Sequence, residues 1–165
     1  MSSVRSPKKS PAAPAPADTA APASEPVDTG FLRTLVGYNT RRAALSIIAV
    51  FMERMAVYDL KVVDFSVLSL VAHNPGITSR QLCATLSVLP PNMVGLIAAL
   101  ERRGLIERRP HPSDGRAMGV HLTPAGVELT AQAEQTAAQL EEDATHRLTA
   151  AERKTLIRLL QKVYD

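Results

Sequence analysis

Arginine side chains account for most of the charge in the middle of the chain. Residues 77–122 contain six arginines and no lysine against three acidic residues, which is a net charge of +3. Because a guanidinium group is planar and donates paired hydrogen bonds, arginine suits contacts with phosphates and base edges. The pattern favours a nucleic-acid surface, and a solvated charged surface is the alternative. The charged residues are Arg80, Arg102, Arg103, Arg108, Arg109 and Arg116, with Glu101, Glu107 and Asp114.

The residue types that enzymes require are scattered along the chain. The sequence has no glycine-rich phosphate loop and no recognisable spacing of a nucleophile and a base. Its single cysteine, Cys83, excludes an internal disulfide and a cysteine-rich zinc site. Cys83 follows Leu82 on a predicted helix, which favours a packing residue over an oxidation sensor. We therefore expect no catalytic residues, no metal site and no cofactor.

Two predicted helices joined by a short break would position the arginines. The first begins with a capping box, in which Thr78 and Gln81 bond to each other's backbone. The second begins at Pro90-Pro91, because a proline in the first helical turn loses no intrahelical hydrogen bond. It ends at Gly104, the residue type that most readily adopts the left-handed stop of a helix.

A β-hairpin is predicted directly after these helices. Residues 105–109 and 118–122 have the pattern of two short strands, and the loop between them is rich in turn residues. Two short helices followed by a hairpin make a winged helix-turn-helix. The aromatic content of 4% and the high Ala, Leu and Val content favour helices in the rest of the chain.

Longer helices flank this unit. Apolar residues at helical spacing predict one amphipathic helix over residues 30–57. Asp64 is predicted to cap a second helix, and Thr123 and Thr149 are predicted to cap two more near the C-terminus. Because the first helix is long for a small monomer, we expect part of its apolar face to contact another chain.

Composition divides the chain at about residue 29. Residues 1–29 hold six of the twelve prolines and no aromatic residue, which predicts a disordered Pro/Ala-rich tail, either inert or a weak DNA-contacting arm. We expect a dimerisation helix over 30–58, a DNA-binding lobe over 59–123, and connecting and C-terminal dimerisation helices over 124–165. The longest apolar run, 43–52, is too short to span a bilayer, and no secretory signal is visible. We expect a cytoplasmic protein with no membrane partner.

Three sequence blocks resemble the MarR family of transcriptional regulators. They are Leu-Glu-Arg-Arg-Gly-Leu-Ile-Glu-Arg at 100–108, Asp-Gly-Arg at 114–116 and Leu-Thr-Pro-Ala-Gly at 122–126. The resemblance covers residues 30–165 and implies a mainly α fold with a small β-wing, in which the N- and C-terminal helices form an intertwined dimer body. It implies a homodimer that binds a pseudo-palindromic operator in double-stranded DNA as a ligand-relieved repressor. The dimerisation residues that we expect are Phe31, Leu35, Leu156, Leu159, Leu160 and Val163.

The resemblance also implies which residues contact DNA. Arg116 would enter the minor groove, with Asp114 bracing its guanidinium group. The recognition helix departs from the family because Leu89 occupies the cap position and only Asn92 offers an amide that can pair with adenine. We therefore expect specificity from DNA shape, thymine methyl groups and the wing. The candidate contacts are Arg80, Gln81, Ser87, Pro91, Asn92, Gly95, Arg108, His111, Ser113, Asp114 and Arg116.

An effector site is predicted where the family binds its inducers, between the dimer body and the DNA-binding lobe. Aromatic side chains beside arginines suit a phenolic or aromatic carboxylate, or its acyl thioester. Core packing with exposed arginines is the alternative for each residue. The candidates are Tyr38, Arg41, Arg42, Phe65, Leu68 and His73.

Two other functions stay open at this point. One is an activator or dual regulator with the same fold. The other is a winged-helix protein-interaction module that has lost specific DNA recognition, for which the altered recognition helix is the motivating feature.

Overall fold

The computed structural model describes residues 27–111 and 114–165, and the side chains of 111–116 lie outside that description. Of the tail predicted over residues 1–29, only the last three residues are therefore described. The helices are α1 Gly30–Arg33, α2 Val36–Met55, α3 Val62–His73, α4 Ser79–Leu86, α5 Pro90–Arg102, α6 Pro124–Ala144 and α7 Ala150–Tyr164. The strands are β1 Ile77–Thr78, β2 Ile106–His111 and β3 Asp114–Leu122, and a 3-10 helix, Ala56–Tyr58, follows α2.

The N-terminal helix is interrupted, so the prediction of one helix over residues 30–57 is wrong. Leu35 has an extended backbone (φ −90°, ψ 129°) and separates α1 from α2. The Asn39 amide donates to the carbonyl oxygens of Arg33 and Leu35, both at 2.8 Å. The Thr34 hydroxyl donates to the Phe31 carbonyl at 2.7 Å. Short polar side chains compete in this way with helical hydrogen bonds, and hydrophobic spacing does not reveal them.

Asp64 lies in the first turn of α3 rather than at its N-cap. The helix begins at Val62, and the Asp64 carboxylate accepts a hydrogen bond from the Lys61 N–H at 3.1 Å. The prediction therefore placed the start of this helix too late. A carboxylate three residues into a helix satisfies a free backbone N–H as a capping residue does, and the two placements leave similar sequence patterns.

The helix-turn-helix formed by α4 and α5 is confirmed. The Gln81 N–H donates to Thr78 Oγ1 at 3.3 Å, and the Thr78 N–H donates to Gln81 Oε1 at 2.8 Å, so the capping box is present. Leu89 is the N-cap of α5 and makes no side-chain capping bond, and Gly104 follows the helix with φ +69°. The two helices are bent by 115° relative to each other.

No single described helix is long and apolar enough to cross a bilayer. Only α4 and α5 together, a pair with a sharp bend between its helices, meet that length and composition.

The wing belongs to a three-stranded antiparallel sheet with the order β1-β3-β2. Both hairpin strands are longer than predicted, and the register of the hairpin shifts between Pro110 and His111. Strand β1 pairs Ile77 with Val120 and Thr78 with Gly119. The sequence analysis missed β1, because a two-residue strand is too short to show an alternating pattern.

A continuous core joins the winged lobe to the long helix α6. Fully buried side chains come from α2 through α6 and from β2 and β3, whereas α1 and α7 bury no residue. Within the described residues, the core therefore leaves the apolar sides of both terminal helices uncovered. The largest fully buried side chains are Met55, Leu68, Leu82, Met93, Leu100, Ile106 and Leu140.

The block Leu-Thr-Pro-Ala-Gly forms the joint between the winged lobe and α6. Thr123 Oγ1 donates to the Gly104 carbonyl at 2.6 Å and accepts from the Gly126 N–H at 3.0 Å. A Cβ at Gly126 would lie 1.9 Å from the Leu105 carbonyl oxygen, far inside van der Waals contact. This joint requires both residue types, because the threonine bonds across it and the glycine permits the close approach.

Candidate nucleic-acid interface

Helix α5 presents an apolar and largely uncharged first half to its surroundings. One side of the helix is buried through Met93, Ile97 and Leu100. Leu89 at the N-cap is 69% exposed, and Val94 in the second turn is 62% exposed. Most exposed helix surfaces carry charged residues, so this face has the character of a contact surface.

Asn92 and Gly95 lie on the same accessible part of α5. They line a groove of about 770 Å³ between α5 and the start of α3, together with Lys61 and Pro91. The Asn92 side chain makes no hydrogen bond to any described residue, so its amide is available. A Cβ built at Gly95 meets nothing within 4 Å, which leaves open space over this helical turn. The structure thus brings Pro91, Asn92 and Gly95 together.

The candidate contacts on α4 are exposed and lie at both ends of that helix. Arg80 and Gln81 are in its first turn, and neither is buried. Gln81 Oε1 is used in the capping box, which leaves its amide N–H groups for other partners. Ser87 ends the helix with a left-handed backbone, φ +52°, and starts the turn into α5.

The arginines of β2 are paired with acidic neighbours. Arg108 donates two hydrogen bonds to the Glu101 carboxylate, Nε to Oε1 at 3.2 Å and Nη2 to Oε2 at 2.7 Å. These bonds and the attraction of the Glu101 charge raise the pKa of Arg108 above its ordinary value. Arg109 pairs with Glu107 within the same strand. Both cations remain about half exposed, so Glu101 orients the Arg108 guanidinium without hiding it.

Arg103 is committed to an intramolecular contact, which its sequence pattern did not reveal. Its Nη1 donates to the Asp59 carbonyl at 2.8 Å, and its Nη2 donates to the Tyr58 carbonyl at 2.9 Å. The prediction that counted Arg103 among the arginines of the nucleic-acid surface is therefore corrected. Arg80 and Arg102 are exposed and form no ion pair with any described residue.

The tip of the wing carries four of the predicted contacts. The side chains of His111, Ser113, Asp114 and Arg116 lie outside the described residues. Their proposed contacts, including the bracing of Arg116 by Asp114, stay predictions. The strands leading to the tip are described, and they pair Pro110 with Met118 in register.

Two of the predicted effector residues share a surface depression at the α1–α2 junction. Tyr38 and Arg42 line it together with Arg33 and Asn39, and its volume is about 470 Å³. The depression combines two guanidinium groups, a phenol and an amide. Arg41 is exposed nearby on α2 and is not part of this lining.

The other effector candidates lie elsewhere. Leu68 is fully buried in the core, so its assignment to a ligand surface is corrected. Phe65 packs edge-on against Phe51 with ring centroids 5.6 Å apart, as a partly buried core residue. His73 Nε2 lies 2.9 Å from Glu134 on α6, whose carboxylate also accepts from the Ser69 hydroxyl at 2.7 Å.

Sequence comparison identifies the family. A family model described as MarR family matches residues 58–117. The multiple antibiotic resistance protein MarR of Salmonella typhimurium is 36% identical over 106 residues, which cover 64% of this chain and 74% of that protein. This chain belongs to the MarR family. A putative transcriptional regulatory protein for the hcr operon of Thauera aromatica is 37% identical over 100 residues, which cover 61% of this chain and 60% of that protein's length.

Solved structures of MarR-family regulators share the fold. The transcriptional repressor CouR, bound to a 23-mer DNA duplex, is 34% identical with a TM-score of 0.79, covering 85% of this chain and 99% of that chain. The BpsR protein of Bordetella bronchiseptica, whose DNA binding is regulated by 6-hydroxynicotinic acid, is 27% identical with a TM-score of 0.73. That match covers 79% of this chain and 94% of BpsR.

Family membership confirms the predicted winged-helix fold. The matched MarR-family proteins are transcriptional regulators, so the prediction of a regulator rather than an enzyme is also confirmed. Sequence reasoning missed β1 and the structural use of Arg103. No short-range pattern could have found the latter, because its partners lie 44 and 45 residues away.

Proposed function

We propose that this MarR-family protein binds double-stranded DNA with α5 in the major groove and the β2–β3 wing at the adjacent minor groove. The observation that carries the proposal is the accessible first half of α5, where Leu89 and Val94 are exposed and the Asn92 amide makes no hydrogen bond to a described residue. A helix of this kind fits the width of the major groove. The related repressor CouR is bound to a 23-mer DNA duplex in its solved structure, which supports DNA binding by this fold.

Base recognition by α5 would combine one polar contact with apolar ones. The Asn92 amide suits the N6 and N7 atoms of adenine, whereas Leu89, Pro91 and Val94 suit thymine methyl groups. Gly95 leaves room for the bases to approach the helix backbone. Arg80 and Arg108 would contact phosphates, which position the lobe without selecting a sequence.

We further propose that the protein acts as a homodimer in the cytoplasm. Helices α1 and α7 bury no residue within one protomer, and Phe31 and Val163 are 76% and 74% exposed. Short isolated helices are marginally stable in water, so these two need a partner surface. A second copy supplies it and places two recognition helices at half-sites about 10 bp, or one helical turn, apart.

The proposed regulatory role is repression that a small aromatic acid relieves. The depression formed by Arg33, Tyr38, Asn39 and Arg42 offers cations for a carboxylate and a phenol for a ring substituent. The regulation of BpsR by 6-hydroxynicotinic acid supports this ligand class. Release requires the acid to bind better to a dimer whose lobes are wrongly spaced for DNA. Expression reporters on a target promoter would separate a repressor from an activator.

The first test is affinity for the DNA upstream of the coding region, measured at several salt concentrations beside an unrelated duplex of equal length. We expect at least about a hundredfold preference for the upstream DNA, since such ratios are ordinary for specific sites. Affinity should fall steeply with salt as phosphate contacts release counterions. Equal and weak binding to both duplexes, with salt-independent binding to a protein partner, would instead favour the protein-interaction alternative.

A wing variant sharpens this test. Arg116→Ala should weaken binding at least about tenfold and lower the salt dependence by about one phosphate contact. The matched control is Arg109→Ala, which makes the same change in the same hairpin at a residue paired with Glu107. A smaller loss for Arg116→Ala than for Arg109→Ala would contradict the assigned role of the wing tip.

A further inference from the structure

We propose that Tyr58 and Arg103 fix the position of the C-terminal end of recognition helix α5 relative to α6, and thereby the half-site spacing that a dimer selects. This inference rests on the proposed function, a dimer that binds DNA. It assigns a positioning role to two residues that the DNA-contact predictions do not use in this way.

The end of α5 is attached to α6 at a first point, the joint around Thr123. The Thr123 hydroxyl bonds to the Gly104 carbonyl at 2.6 Å, and the Thr123 N–H bonds to the Leu105 carbonyl at 3.0 Å. Both contacts lie at the N-terminus of α6. This joint alone connects the end of α5 to one end of α6 only.

A second attachment runs through the 3-10 helix that follows α2. The Arg103 guanidinium group donates to the carbonyls of Tyr58 and Asp59. Asp59 ends the 3-10 helix with a left-handed backbone, φ +51°. The Tyr58 hydroxyl lies 2.9 Å from Thr136 Oγ1 and donates to the Gln132 carbonyl at 3.4 Å. Tyr58 therefore bonds to α5 through its backbone and to α6 through its side chain.

The two attachments begin at neighbouring residues at the C-terminal end of α5, Arg103 and Gly104, and reach α6 at separate points. Thr123 and Thr136 are 13 residues apart on one continuous helix, which is about 20 Å at the rise of an α-helix. Two points this far apart on α6 hold the C-terminal end of α5 at a set position along α6. Because α6 leads into α7 and the proposed dimerisation face, that position sets the distance between the recognition helices of two protomers.

The chemistry of the second attachment is selective. Two carbonyl oxygens are met by two N–H groups of one rigid guanidinium group, a geometry that a lysine ammonium group does not reproduce. At the other end, the contact depends on one phenolic hydroxyl. Tyr58→Phe removes the bonds to both Thr136 and Gln132, whereas Thr136→Val removes only the bond to Thr136, and both changes keep the size of the side chain.

The experiment compares DNA duplexes that differ only in half-site spacing. Half-sites are selected from random-sequence DNA with the wild-type protein, and then rebuilt with spacings changed by one and two base pairs, beside a single half-site. The variants are Tyr58→Phe, Thr136→Val and Arg103→Lys. Arg102→Lys is the matched control, since it makes the same change at the adjacent residue, which forms no ion pair with any described residue.

We expect the wild type and Arg102→Lys to lose at least about tenfold in affinity when the spacing changes by two base pairs. The three variants should lose less than about threefold, with single half-site affinity kept within about twofold of wild type. Tyr58→Phe combined with Thr136→Val should equal Tyr58→Phe alone, because the phenylalanine already lacks the bond to Thr136. If the melting temperature shows that Tyr58→Phe does not fold, the test is made with Thr136→Val instead.

Three results would overturn the inference. The first is an unchanged spacing preference in the variants, and the second is an equal loss on every duplex including the single half-site. The third is a wild-type protein that binds its selected DNA without any spacing preference. A wild-type protein with no specific DNA binding at all would overturn the proposed function itself, and this inference with it.

Discussion

At the scale of single residues, the arginines of the lobe divide into two groups. Arg103 and Arg109 are bound to protein partners, Arg103 to two backbone carbonyls and Arg109 to the Glu107 carboxylate, whereas Arg108 is oriented by Glu101 and stays about half exposed. Arg80 and Arg102 are exposed and form no ion pair within the described residues. The salt dependence of DNA binding should therefore correspond to fewer phosphate contacts than the number of arginines suggests.

Gly126 allows the closest backbone approach at the joint between the lobe and α6. Gly126→Ala would place a Cβ 1.9 Å from the Leu105 carbonyl oxygen, so backbone must shift. We expect the free energy of unfolding to fall by about 3 kcal/mol or more, at the upper end of overpacking effects. Urea unfolding monitored by circular dichroism would measure this.

Gly95→Ala is the matched control for that prediction. Nothing lies within 4 Å of a Cβ at Gly95, which is inside α5. The same substitution should therefore stabilise the protein by about 0.5–1 kcal/mol through helix propensity. A loss of stability at Gly95 as large as at Gly126 would contradict the explanation by close backbone approach at Gly126.

At the scale of elements, helix α7 depends on its N-terminal capping box. The Thr149 N–H and hydroxyl donate to the Glu152 carboxylate, each at 2.8 Å, and these bonds lower the pKa of Glu152 below its ordinary value of 4.5. A lowered pKa in the folded state means that ionised Glu152 stabilises folding above pH 4.5, and that this contribution is lost as pH falls through the folded pKa.

The pH dependence of Glu152→Gln tests this cap. Glutamine keeps a hydrogen-bond acceptor but does not titrate, so the wild type should have the higher urea midpoint at neutral pH. The difference should disappear in acid, below pH 4.5. Glu128→Gln is the control, an exposed position on α6 that makes no hydrogen bond to a described residue. A difference between wild type and Glu152→Gln that persists into strong acid would refute the electrostatic explanation.

At the scale of the whole molecule, the terminal helices, which bury no residue in the described part of the chain, predict the oligomeric state. Leu159 is half exposed on the apolar side of α7. Leu159→Glu should convert a dimer into monomers in sedimentation equilibrium, because a buried unpaired carboxylate is costly. Operator affinity should fall together with dimerisation.

Gln161→Glu serves as the control for the dimer prediction. It introduces the same charge two residues away, at another exposed position of α7. This variant should remain dimeric and bind DNA like the wild type. If the Leu159→Glu variant stays dimeric, α7 is not part of the dimer interface.

Local patterns in the sequence were sufficient for the helix-turn-helix, the hairpin and most helix ends. The capping boxes at Thr78 and Thr149 and the stop at Gly104 were predicted from the residues themselves. These signals act over three or four residues, so no tertiary information is needed to recognise them. The predictions missed the break at Leu35 and placed the start of α3 too late. Side-chain bonds to the backbone determine both features, and hydrophobic periodicity does not show such bonds.

Sequence by itself determined the fold class, the family resemblance and the apolar character of the α5 surface, because those follow from residue type and spacing along one segment. Only the tertiary structure decided which arginines are free, that Leu68 is a core residue, and that Tyr58 joins α5 to α6. The contacts responsible connect residues 44 to 78 positions apart. Such contacts depend on how the elements pack, and no local pattern in the chain records them.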